Sequence, residues 1–138
     1  MLRSLLIAAT LAAGPALAQS ECPPEGGIQV PLLETAKQDF LTGDYRGFHE
    51  KITTVIRNTD YDELFNPLIV SVPDGFSTCS TILQRVETGG MVQEVILYQL
   101  PGGTTLGVYL MAGPVDGRMH VLSFQFSTAI GDVLEKLR

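Results

Sequence analysis

The chain has 138 residues, 45% of them hydrophobic and 17% charged, which fits one globular domain and excludes a disordered or low-complexity polymer. Nine Lys+Arg against 15 Asp+Glu give a net charge of −6 with no basic cluster, which argues against a surface that grips nucleic-acid phosphates.

The first 18 residues read as a secretory signal peptide rather than as part of a fold. Met1-Leu-Arg3 is a short basic start, Leu5 to Ala13 an apolar run, and Ala16-Leu17-Ala18 a small-x-small cleavage site that leaves Gln19 first. The run falls short of the about 20 residues a spanning helix needs. Nor is this a lipoprotein pattern, since Cys22 is separated from the cleavage point by Gln19-Ser20-Glu21. The expected mature chain is therefore acidic, exported to the periplasm or beyond, and free of membrane segments. Its two cysteines, Cys22 and Cys79, are expected to form one disulfide in an oxidising compartment. Free thiols or a catalytic cysteine are the alternatives, but no CxxC exists and Cys22 lies in a Pro-Pro-Glu-Gly-Gly arm.

Residues 19–30 form that Pro/Gly-rich arm. Pro31 opens a helix with Leu33, Ala36, Phe40 and Leu41 on one face, stopped by Gly43. Asp44 caps a second helix from Tyr45 to about Arg57, with Tyr45, Phe48, Ile52, Val55 and Ile56 as its apolar positions. A third, short helix is predicted at 60–66, capped by Asp60 and ended by Pro67. From there the period changes to two. Leu68 to Val72 is a short apolar run, closed by the turn Pro73-Asp74-Gly75.

Strands follow at about 79–88, 91–100, 104–112 and 118–126, joined by glycine-rich hairpin signals into an antiparallel meander. A two-residue Gly89-Gly90 turn pairs Ile82 with Leu97, Gln84 with Val95 and Val86 with Gln93. Pairing Ala112 with Arg118 sets Leu110 opposite His120, Val108 opposite Leu122 and Leu106 opposite Phe124. The middle hairpin is open between two registers: Leu97 against Leu106, or a one-residue slip that puts Tyr98, Ile96 and Glu94 on the apolar face. A short helix over 128–137 presents Ile130, Val133, Leu134 and Leu137. One apolar sheet face and several amphipathic helices predict an α+β fold, with the N-terminal helices packed on a four-stranded antiparallel β-meander.

The corner Phe40-Leu-Thr-Gly-Asp-Tyr-Arg-Gly-Phe48, between two helices that precede a glycine-punctuated meander, resembles the NTF2-like (cystatin-like) superfamily over about residues 31–126. That resemblance implies helices across the concave side of the sheet. It implies no single activity, because isomerases, dehydratases, ligand binders and silent assembly domains all belong there. No Asp–Tyr or Asp–His set stands at assignable positions, so no catalytic residue carries over.

Chemical motifs are scarce. His49 and His120 lack the closely spaced Cys/His company of a zinc site, and Asp60-x-Asp62-Glu63 lacks the glycine and terminal glutamate of a calcium loop. There is no G-x-S-x-G, and Ser77-Thr78-Cys79-Ser80 has no nearby base. Gly102-Gly103 joins two strands, unlike a phosphate loop. No cofactor is implied. One constellation remains. In the register above, Val86, Gln93, Leu110 and His120 form a row with Gln84 beside it, able to line a cavity mouth with Tyr45 or Tyr98 supplying a hydroxyl. The plainer alternative is a solvent-wet sheet end where His120 simply hydrogen-bonds.

These features predict a non-enzymatic ligand-binding or protein-interaction module, with a small apolar ligand as one occupant. Tyr109, Met111, Met119 and Val121 are expected to share the convex sheet face as a homodimer or partner surface. The competing expectation is an isomerase- or lyase-type enzyme with His120 as base.

Overall fold

A computed structural model describes residues 21–57 and 59–138, so the expected signal peptide lies outside the described residues. The elements run α1 (Pro31–Thr42), α2 (Tyr45–Ile52), α3 (Tyr61–Ser71), β1 (Thr78–Val86), β2 (Val92–Gln99), β3 (Thr105–Val115), β4 (Arg118–Ser127) and α4 (Ile130–Leu134), followed by a 3-10 turn, Glu135–Leu137. The sheet is an antiparallel meander in the order β1-β2-β3-β4. Helices α1 to α3 cover one face, and the α+β expectation is met.

The helix ends follow from local chemistry. Pro31 starts α1 where its missing N–H costs nothing, and Gly43 ends it at φ +79 while its N–H reaches back to Phe40 O. Asp44 then caps α2 by accepting from Gly47 N–H at 2.9 Å. The corner glycine also permits a close approach, since a Cβ on Gly43 would stand 2.7 Å from Gly75 N. Asp60 caps α3 by accepting from Glu63 N–H at 3.0 Å.

Two helix boundaries differ from expectation. Helix α2 stops at Ile52 rather than near Arg57, and α3 runs through Pro67 to Ser71. The Leu68–Val72 run is thus the last turn of α3, Val72 closing it with a 2.7 Å bond to Leu68 O. Proline removes one helical bond, but Phe65 and Leu68, both buried, fasten the helix to the core on either side of it.

The first and third hairpin registers require correction, and the open choice in the middle one is resolved. Glu87 N–H donates to Met91 O, so the first loop holds three residues, Thr88 to Gly90, and Gln84 faces Glu94 rather than Val95. A bulge at Ile82 shifts the rest of that pair. The middle hairpin takes the slipped register: Tyr98 pairs with Leu106, Ile96 with Val108 and Glu94 with Leu110. In the third, Asp116-Gly117 is a two-residue turn with φ of 50 and 77, so Val115 pairs with Arg118 and His120 with Gly113. A second bulge, at Leu122, then sets Leu110 opposite Phe124.

The helix-facing core centres on Phe40, whose ring lies 5.0 to 6.2 Å from those of Tyr45, Phe48, Phe76, Tyr98 and Phe126. The opposite face is not a solvated surface: Val133 of α4 seals Val95 and Tyr109 in a second small core. Gly107 makes room, because a Cβ there would meet Ile130 at 3.0 Å and Val133 at 3.1 Å. The expected surface patch therefore divides. Tyr109 and Met111 belong to the α4-covered core, whereas Val121 is buried in the main core and Met119 packs against it. The bulge at Leu122 is what separates them.

Candidate functional site

Lys37 follows Leu33 by four residues and so lies on the buried face of α1, aimed at the sheet. Its side chain is fully buried, with Nζ 2.7 Å from Glu34 Oε1 and 2.9 Å from Glu94 Oε2. Nζ also donates to Cys22 O at 2.9 Å and to Thr81 Oγ1 at 3.1 Å, and Thr81 in turn donates to Cys22 O. Four oxygens thus share three ammonium hydrogens. Glu94 Oε1 accepts from Gln84 Nε2 at 2.7 Å. The same amide grips the arm, donating to Ile28 O at 2.7 Å and accepting from Ile28 N–H at 2.8 Å. Two carboxylates face one ammonium, and among the described residues Glu34 Oε2 has no hydrogen-bond partner.

The arm closes this cluster from above. Cys22 and Cys79 are joined with their Cα atoms 5.5 Å apart, as the sequence predicts. Pro24 forms a parallel bridge with Thr81. The polar groove between arm and β1 holds about 480 Å³, but Thr81 and Gln84 on its wall already spend their polar atoms on the cluster. With Lys37 Nζ fully covered, the cluster is a fastening between arm, helix and sheet.

The expected site residues do not converge. Gln93 is buried on the other sheet face, beside Met111, and its Oε1 has no partner among the described residues. His120 is half-buried and its Nδ1 lies 3.2 Å from Thr54 Oγ1, at the end of α2. The row Val86, Gln93, Leu110, His120 does not exist, because the first and third hairpin registers moved and the middle one took the slipped pairing. Tyr45 donates to Val72 O at 2.7 Å, and its hydroxyl pKa is pushed up to about 12, by burial first and by Tyr61 second. Tyr98 is fully buried and donates to Lys37 O at 3.1 Å; burial, then Glu94 and Glu34, hold its pKa well above 10.0. Gln84 and Tyr98 therefore adjoin the Lys37 cluster instead of a cavity mouth. His49 Nε2 sits 3.3 Å from both Thr59 O and Thr59 Oγ1, a structural tie across the loop after α2. Among the described residues no group of three His, Cys, Asp or Glu is placed to hold a metal ion.

Open space that could take a molecule lies elsewhere. Where α3 ends, Leu68 and Val72 stand off from Leu106 and Phe126, with Phe76 as the floor, leaving a half-open apolar cleft of about 390 Å³. None of the residues lining it is ionisable. Sequence reading missed this cleft because it took 68–72 for an extended run rather than a helix turn. No family model, curated protein or solved structure matches this chain.

Proposed function

We propose that this chain is an exported, non-enzymatic binding module that takes a small apolar ligand between α3 and the ends of β3 and β4. The cleft carries the reading: apolar walls, half-open geometry and a volume within the roughly 300–1,000 Å³ of small-molecule pockets. Export is supported by the signal-like pattern of residues 1–18 and by a disulfide that persists in oxidising compartments. The NTF2-like resemblance, with ligand binders in that superfamily, supports a site between helices and concave sheet. His120 lends no support to an enzyme, since it bonds to Thr54 and does not line the cleft.

The test is titration with a fluorescent apolar probe such as N-phenyl-1-naphthylamine. Wild type should bind it saturably at one site, and Ser71→Trp, which plugs the cleft mouth at an exposed helix end, should abolish that binding. Val86→Trp, on the exposed β1 edge, should leave it intact. Equal binding by wild type and Ser71→Trp would overturn the assignment.

A further inference from the structure

We infer that the cleft selects a neutral amphiphile, an apolar body with an alcohol- or amide-type head, over a fatty carboxylate or an amine; this rests on the cleft being the ligand site. Its interior offers Leu68, Val72, Phe76, Leu106 and Phe126 to an apolar body. Polar groups occur at the mouth. Ser71, on the last turn of α3, and Thr128, just past β4, are both exposed there, and among the described residues neither hydroxyl has a hydrogen-bond partner. Each is both donor and acceptor, so together they match a head that also donates and accepts.

Charge argues against an ionic head. The third hydroxyl of the lining, Ser127, is already committed: its Oγ donates to Asp132 Oδ2 at 3.1 Å and accepts from Ala129 N–H at 3.0 Å. Asp132 thereby stands one hydrogen bond from the cleft wall, in a chain of net charge −6, and a carboxylate head would meet that field unscreened by any lining cation. The same field draws an ammonium head only weakly, because Asp132 is exposed and already accepts from Ser127, and the lining itself holds no carboxylate to receive one.

Displacement of the bound apolar probe by 1-octanol, octanoate and octylamine at neutral pH and moderate salt tests this on the full exported chain. Octanol should displace at least about tenfold more tightly than either charged partner. Asp132→Asn should improve octanoate several-fold without changing octanol, and Ser71→Ala with Thr128→Val should weaken octanol several-fold while the probe still binds. Octanoate or octylamine equal to octanol overturns the selectivity and leaves the cleft assignment standing. Failure of all three, with no saturable probe binding, overturns both.

Discussion

Replacing Lys37 by methionine keeps an unbranched apolar stem and removes the charge that two buried carboxylates share. Nζ stands 2.7 Å from Glu34 Oε1 and 2.9 Å from Glu94 Oε2, so those oxygens are within about 5.6 Å of each other. At an effective dielectric near 20 their repulsion is about 3 kcal/mol once the ammonium is gone. Cys22 O and Thr81 Oγ1 lose a donor as well. The loss should fall in the range of about 3–5 kcal/mol known for breaking one side of a buried ion pair. Glu94→Gln is the informative partner. It removes the excess negative charge, leaves Lys37 paired with Glu34, and should cost about 1–2 kcal/mol, the scale of one poorly satisfied buried hydrogen bond. Urea unfolding with the disulfide intact measures both, and Lys37→Met should lower the midpoint by roughly 1–5 M at ordinary m-values. A Lys37→Met cost below about 1 kcal/mol, or equal costs for the two variants, would show that water solvates the cluster.

Reducing the disulfide reopens a link of sequence separation 57, so the unfolding free energy should fall by about 4 kcal/mol in a urea series with and without reductant. Alkaline pH should destabilise the fold: Tyr45 and Tyr98 hold raised pKa values in the native state, so their contribution is complete below about 10 and is lost as pH rises, through about 12 for Tyr45. A midpoint that stays flat across that window contradicts the assignment, and Tyr98→Phe should reduce its slope. Gly107→Val should cost about 1–3 kcal/mol by crowding Ile130 and Val133 of α4, measured by urea unfolding, whereas the same change at Gly131, which has nothing within 4 Å and no positive φ, should cost much less.

Those elements whose signals are local were legible. Gly43-Asp44 specifies a helix stop and a cap within two residues, Asp60 caps α3, and two cysteines behind a signal-like pattern point to the bridge. Registers were not, because an error at a turn propagates along both strands and flips every side chain. Asp116-Gly117 is a strong two-residue hairpin signal that reading Gly113 to Gly117 as one long connector concealed. The two bulges have no local signature at all, yet the one at Leu122 decides that Val121 and Tyr109 face opposite ways. The ion cluster was half visible. Lys37 falls on the Leu33–Phe40 face by spacing, but Glu34 three residues earlier makes it read as an exposed helix pair, and Glu94 joins them only in the correct register.

The amide of Gln84 has a consequence for how this protein behaves in crowded surroundings. Strand β1 lies at the sheet edge, where unpaired backbone groups invite a strand from another molecule, and it carries Ile82, Leu83 and Val86 exposed. Gln84 holds the arm beside that edge: its side-chain amide matches the donor and acceptor of Ile28 as a neighbouring strand would. Pro24, bridged to Thr81, adds a residue that cannot donate to a newcomer. The disulfide keeps this cover in place at no cost in chain entropy each time the edge is tested by collision. The cover of this edge is thus held by a segment with almost no secondary structure of its own, tied down by the disulfide, the Pro24 bridge and the Gln84 amide together.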